Sequence, residues 1–214
     1  MPLRILVTGF EPFGGAPHNP SGDAARALDH TTFTVHTGSA PRVASVRSLL
    51  LPVLWDDAAE SLVAHIEATR PHVVISLGMA QRRFRVERIA GNARMNRPDN
   101  RHRYPRPERA QATLTFPTRL PVEPIEHAIR EIGGEVEPST HAGGYICDDV
   151  FFALMQTHQE HGTRLGLLRA GFIHVPNDRI VPSVLPQETL NEAILAAARV
   201  TVQNLTAEEL RPLL

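Results

Sequence analysis

Four short apolar runs constrain the fold of this chain more than any other feature: Arg4 to Val7, Val46 to Val53, His72 to Leu77 and Ala170 to Val175, each bounded by Gly, Pro or polar residues. A run that is apolar at consecutive positions leaves no face for water, so it suits a strand buried on both sides. Patterns of helical period lie between the runs. Trp55, Ala59, Leu62 and Ile66 share one face, with Asp56 and Asp57 in the first turn and Pro71 just past the end. Val122, Ile125, Ile129 and Ile132 repeat that spacing and stop at Gly133-Gly134, a C-terminal cap signal. A third helix begins near Cys147 with Val150, Phe151, Leu154 and Met155 inward, and a fourth covers about Gln187 to Val202. Buried strands alternating with amphipathic helices predict an α/β fold, a single-domain three-layer α/β/α sandwich over residues 1–214 with a mainly parallel twisted sheet. The segment Asn92 to Thr118, rich in Pro, Arg, Asn and His, has no period and reads as a long irregular loop, the kind that is functional or disordered.

Composition narrows the function classes. Apolar residues at 42% supply a core without metal or disulfide staples, and a net charge of −1 gives no global attraction to nucleic acid or to an anionic membrane. The apolar stretch after Met1 is too short for a signal-peptide core, and no later stretch approaches the roughly 18 residues of a membrane span. A single cysteine cannot form an intramolecular disulfide, which points to the reducing cytoplasm.

That cysteine lies in one of three segments able to carry chemistry: His141-Ala-Gly-Gly-Tyr-Ile-Cys147, Gly171-Phe-Ile-His174-Val-Pro176 and Phe84-Arg-Val-Glu87-Arg-Ile-Ala-Gly-Asn92. Each has an ordinary reading on its own: Cys147 as a small core residue, His174 as a structural strand residue, Glu87 beside Arg88 as a solvated ion pair. Context favours the chemical reading. Gly143-Gly144 lets the backbone bend tightly just before a helix, which puts the thiol of Cys147 where unpaired N–H groups and the helix dipole favour a thiolate and an oxyanion. Asp148 and Asp149 oppose this by raising the thiol pKa. His174 falls at the C-terminal end of a strand, where catalytic groups gather in open parallel sheets, and can act as the base for the thiol and the acid for a leaving amine. Glu87 is the carboxylate chosen to fix its tautomer.

With these residues in view, the chain resembles the pyroglutamyl-peptidase I (pyrrolidone-carboxylate peptidase) family from Ile5 to about Pro176. Val7-Thr-Gly-Phe10-Glu-Pro-Phe13-Gly-Gly15 with Asn19-Pro20 is similar to its first strand and loop. Glu87-Arg88-Ile89-Ala90 with Asn92, and Pro98-Asp99-Asn100, resemble its glutamate segment and the turn that follows. Ala142 to Cys147 and Gly171 to Pro176 resemble the nucleophile and histidine segments, and Leu120-Pro121 also fits. The resemblance implies a Cys147, His174, Glu87 triad in a cysteine exopeptidase that releases N-terminal pyroglutamate through a thioester, without a cofactor or metal. It also implies a lactam ring held by Phe10, Phe13, Asn19 and Ile146, peptide substrates with N-terminal pyroglutamate, and a homo-oligomer, often a tetramer. A flat neutral lactam suits aromatic faces and needs no carboxylate to hold an amine.

The chain departs from the family pattern in places. Gly78 to Glu87 is shorter, with Gln81-Arg82-Arg83 replacing a glycine-rich stretch, and either Arg94 or Arg97 could inherit an oxyanion-assisting role. Asp148 stands where asparagine is common, and Asn177-Asp178-Arg179 departs again. These differences support an alternative, a detuned relative that binds capped peptide ends or acts on another small acyl substrate. The eleven scattered histidines include no HxH or HExxH, and neither a Gly-x-Ser-x-Gly elbow nor a phosphate-binding glycine motif occurs.

Overall fold

The four apolar runs become the four central, mutually parallel strands of a six-stranded sheet of order β2-β3-β1-β4-β8-β5. The computed structural model of the protein describes residues 2–37, 40–80, 82–106, 114–177 and 185–211. The central strands are β1 (Leu3–Phe10), β3 (Ala40–Leu51), β4 (Val73–Met79) and β8 (Arg169–Val175). Two strands absent from the sequence reading, β2 (Thr32–Thr37) and β5 (Arg85–Val86), close the edges in antiparallel pairing. A separate two-stranded ladder joins β6 (Ile89–Gly91) to β7 (Thr115–Pro117).

Side chains alternate across each strand and divide the core in two. Leu3, Ile5 and Val7 of β1 face one layer, with α1 (Pro20–Leu28), α3 (Val122–Glu131), α5 (Gln187–Gln203) and α6 (Ala207–Leu210). Leu6 and Phe10 face the other, with α2 (Asp57–Thr69) and α4 (Ile146–Leu165). The three layers of the expected sandwich are present. The sheet is mixed rather than uniformly parallel because its edges need only short strands, and an antiparallel edge strand can follow without a helical crossover. Burying a side chain the size of Phe172 or Phe151, both fully buried, stabilises by about 1.5–3 kcal/mol each.

The expected long loop is only partly irregular. It contains β7, residues 107–113 lie outside the described residues, and residues 92–106 have neither helix nor strand but are fixed by one carboxylate. Asp99, 4% exposed, accepts hydrogen bonds from the N–H groups of Trp55 (3.2 Å), Arg101 (2.8 Å) and Arg103 (2.9 Å) and from Arg103 Nε (3.1 Å). Around it, Asn100 donates to the carbonyl of Pro12 at 3.1 Å, Trp55 Nε1 to that of Arg97 at 2.8 Å, and Met95 N–H to that of Gly144 at 2.7 Å. The segment therefore ties the first loop, the start of α2 and the approach to α4 into one unit. Burial opposes the charge of Asp99, but the N–H donors of Arg103, Arg101 and Trp55 outweigh it and hold the carboxyl below its ordinary pKa.

Asp99→Ala is expected to lower folding stability by about 1–3 kcal/mol, because it leaves several buried donors unpaired. The sign of the pH effect follows from the depressed folded pKa. The contribution of Asp99 is complete above the unfolded value of about 3.9 and disappears as pH falls through the lower folded one. Urea unfolding of wild type and variant at neutral and at acid pH should give curves that converge on acidification. A gap that stays constant into acid would contradict this role.

Candidate active site

Cys147 is the second residue of α4, reached through Gly143 (φ 100°) and Gly144 (φ 71°), left-handed conformations that disfavour any residue with a Cβ. The turn they make allows the chain to enter the helix with the thiol facing the sheet. A second glycine makes room for the sulfur: a Cβ on Gly78 would stand 3.0 Å from Cys147 Sγ and 2.7 Å from the ring of Phe172. Gly78 of β4 pairs directly with His174 of β8, so the sulfur occupies the notch beside the imidazole.

The histidine is oriented from behind. His174, 5% exposed, places Nδ1 2.7 Å from Oε1 of fully buried Glu87, and its ring lies 4.9 Å from that of Phe172. An ionised carboxylate can only accept, so Nδ1 carries the proton and Nε2 is the basic nitrogen. Strand alternation explains why Glu87 reaches it. Phe84 and Val86 point into one core, so Arg85 and Glu87 point to the other face, the face of His174. Arg85 is the direct register partner of His174, and the Glu87 N–H donates to the Phe172 carbonyl at 3.0 Å, two residue pairs deeper.

The sequence reading missed Ser139. Its hydroxyl donates to the second Glu87 oxygen at 2.5 Å, across a bridge between Glu87 and Ser139 backbones. No local pattern marks this serine, because only tertiary pairing brings residues 139 and 87 together.

Cys147 and His174 open onto a cavity of about 410 Å³ that is also lined by Phe10, Phe13, Asn19 and Ile146. All four residues expected at the ring site are therefore at one cavity with the thiol and imidazole. Phe10 and Ile146 are nearly fully buried, so each offers the cavity only an edge. Asn19 has a structural task as well. It caps α1, its Oδ1 accepting from Ser21 N–H (3.1 Å) and Ser21 Oγ (2.8 Å), while Nδ2 donates to the Glu11 carbonyl at 3.1 Å.

The structure separates the two arginines. Arg94, its side chain 7% exposed, stacks 5.3 Å from the Trp55 ring centre and binds Asp149 (Nε to Oδ1, 3.0 Å) and Asp56 (Nη2 to Oδ1, 2.7 Å). It locks the start of α2, where Asp56 (φ 64°, ψ −51°) forms a strained γ-turn closed by Asp57 N–H on the Trp55 carbonyl at 2.7 Å. Arg97 lies in the cavity wall, 4.7 Å over the Tyr145 ring.

Electrostatics at rest favour the thiol. Burial pushes the Cys147 pKa up to about 12, with the charges of Asp148 and Glu87 adding to the rise, while its own backbone N–H, directed at the sulfur, works the other way. Asp148 faces back to accept the Gly144 N–H, and burial raises its carboxyl against that bond. The N–H groups of Asp148 and Asp149 both donate to the Tyr145 carbonyl, at 2.9 and 3.3 Å. The Cys147 N–H is thus the helix-end donor nearest to where an oxyanion would form. Among the described residues, no group of three or more His, Cys, Asp or Glu side chains is arranged to hold a metal ion, and no helix is long and apolar enough to cross a membrane. Gln81, Asp178 and Arg179 lie outside the described residues.

A thiol at a helix N-terminus beside a carboxylate-bound imidazole, at the C-terminal edge of a parallel sheet, defines a cysteine hydrolase. The pyroglutamyl peptidase profile matches residues 3–207, and the chain belongs to that family. A pyrrolidone-carboxylate peptidase of Chromobacterium violaceum is 37% identical over 177 residues, covering 80% of this chain and 77% of its own. The Thermococcus litoralis pyrrolidone-carboxylate peptidase is 34% identical over 212 residues, 96% of this chain and 87% of its own. In three dimensions, pyroglutamyl peptidase I from Bacillus amyloliquefaciens superposes with a TM-score of 0.80 at 28% identity, over 94% of this chain and 95% of its own. A mutant pyrrolidone carboxyl peptidase from Pyrococcus furiosus gives 0.79 at 30% identity, over 94% and 99%.

Two measurements check this geometry. Ser139→Ala should leave a buried carboxylate oxygen unpaired and lower kcat by about tenfold, with KM changed much less and partial recovery in Ser139→Thr. An unchanged kcat would remove Ser139 from the positioning chain. Second, with the resting thiol near 12, iodoacetamide alkylation of substrate-free protein should keep accelerating from about pH 7 to about pH 10. A plateau already reached at neutral pH would reveal a preformed thiolate and contradict the assignment.

Proposed function

We propose that the protein is a cysteine exopeptidase that hydrolyses the bond after an N-terminal pyroglutamyl residue, using Cys147 as nucleophile, His174 as base and acid, and Glu87 to orient the imidazole. The observation that carries this reading is the 2.7 Å Glu87–His174 contact beside Cys147 in a cavity with aromatic residues on its wall.

Because the resting thiol holds its proton, His174 Nε2 takes that proton as sulfur attacks the pyroglutamyl carbonyl carbon. The S–C bond forms and the carbonyl electrons move to oxygen, within reach of the Cys147 N–H. Arg97 is the arginine for that oxyanion, since it lines the cavity while Arg94 lies outside that wall with Nε and Nη2 bound to Asp149 and Asp56. Collapse breaks the C–N bond, and the imidazolium gives its proton to the departing amine. Water, deprotonated by His174, then adds to the thioester, and the S–C bond breaks as the thiol regains the proton.

Phe10, Phe13 and Ile146 supply apolar surface for the lactam ring, and Asn19 holds the first loop against it. No carboxylate is among the described residues of the cavity wall, which suits an N-terminus without a free amine. A lone thiol that must stay reduced suits the cytoplasm, and family resemblance supports a homotetramer of single-domain chains, which sedimentation would test.

Wild-type protein should release aminomethylcoumarin from its pyroglutamyl derivative but not from the prolyl one, and Cys147→Ala should abolish release while keeping the circular dichroism of wild type. Equal turnover of the prolyl compound, or activity in the alanine variant, would overturn the proposal.

A further inference from the structure

The shortened segment between Gly78 and Glu87 brings a cation to the active-site wall. Arg85 lines the cavity and is the antiparallel register partner of His174. Residues directly opposite in such a pair have Cβ atoms about 4.5–5.5 Å apart on the same face of the sheet. Glu87 approaches the imidazole from two residue pairs deeper, on the buried side, while Arg85, with 37% of its side chain exposed, stands at the mouth. His174 must reach the leaving nitrogen to protonate it. The residue after the scissile bond therefore passes the imidazole on its open side, whereas in the proposed binding mode the acyl ring lies against Phe13 and Ile146, which line the cavity beside Cys147.

Two arginines, Arg85 and Arg97, are the charged residues of the described cavity wall. Arg97 stacks on Tyr145 at the nucleophile helix, so Arg85 is the cation on the histidine side. One carboxylate, Glu137, already touches it. Nε and Nη2 of Arg85 both approach the same Glu137 oxygen at 2.5 Å, and Arg83 shares that residue at 3.8 Å and binds Glu135 at 2.9 Å. Glu137 thus holds the guanidinium by one edge and fixes its direction, as an orienting partner does for a planar fork.

Resting on the peptidase reading above, we infer that Arg85 is a specificity-determining residue that favours substrates whose leaving residue carries a carboxylate. That carboxylate is either an acidic side chain after the pyroglutamate or the free C-terminus of a pyroglutamyl dipeptide. Both present the same anion to the guanidinium, and the two sources separate experimentally.

The test compares kcat/KM for two matched pairs: pyroglutamyl-Glu-amide against pyroglutamyl-Gln-amide, and pyroglutamyl-Ala with a free carboxylate against pyroglutamyl-Ala-amide. At low salt the charged member of at least one pair should be preferred about three- to tenfold, chiefly through KM, and the preference should shrink as ionic strength rises. The pair that shows it identifies the source. Arg85→Gln should bring the ratio to about one, Arg85→Lys should keep most of it, and Glu137→Gln should increase it by releasing the guanidinium. These are ratios within one protein sample, so a loss of folded fraction in a variant does not move them. No preference in either pair, or one that persists in Arg85→Gln, would overturn the inference while leaving the peptidase reading intact. If the unmutated protein hydrolyses none of the four peptides, the peptidase reading fails and this one with it.

Discussion

A carboxylate sealed from water has to be paired, and in this protein the burial of Glu87 sets the terms for the rest of the site. Both oxygens are engaged, one by the His174 ring at 2.7 Å and the other by Ser139 at 2.5 Å. Removing either partner would strand charge in a region of low dielectric, a large penalty for a fold whose whole margin is of the order of ten kcal/mol. The fold meets the requirement by laying residues 84–87 between β8 on one side and residues 135–139 on the other. Alternation along that segment does two jobs. Phe84 and Val86 fill the core under α3, and Arg85 and Glu87 flank the histidine.

The proposed nucleophile, Cys147, is delivered by different means. Helix α4 is fixed at its first turn by Asp149 on Arg94 and by Asp148 on the Gly144 N–H, and its preceding residue is pinned by the Tyr145 hydroxyl on the Pro98 carbonyl at 2.9 Å. The two aspartates stabilise the helix end electrostatically and rigidify the turn, but Asp148 disfavours the thiolate. Rigidity is thus gained at the expense of a preformed nucleophile. In the proposed mechanism proton removal is left to His174 in the attack itself, which makes the orientation supplied by Glu87 all the more necessary.

The sheet's parallel core and four of the helices were legible in the sequence because they depend on local periodicity and burial on both faces. The edges were not. Strand β2 offers only Phe33 and Val35 as buried apolar positions before Thr37, and β5 to β7 are too short for any period to appear. Helix α1 is only nine residues long and buries mostly small side chains, with Ala24, Ala25 and Leu28 inward, and its Asn19-Pro20 start, a cap followed by a first-turn proline, also fits a binding loop. Cys147, His174, Glu87, Phe10, Phe13 and Ile146 could be nominated by residue type, context and family pattern. The difference between Arg94 and Arg97 could not, since it depends on Asp56 and Asp149 arriving from separate helices. Ser139, the anchoring role of Asp99 and the place of Arg85 beside His174 likewise exist only in three dimensions.

The most direct test of the account is to acid-quench the protein during turnover of a pyroglutamyl ester and locate the acyl group by mass spectrometry. The account predicts a mass gain of one pyroglutamyl group, confined to the peptide that carries Cys147 and absent from Cys147→Ala. Turnover without such an adduct, or an adduct on any other residue, would contradict the nucleophile on which the whole site is built.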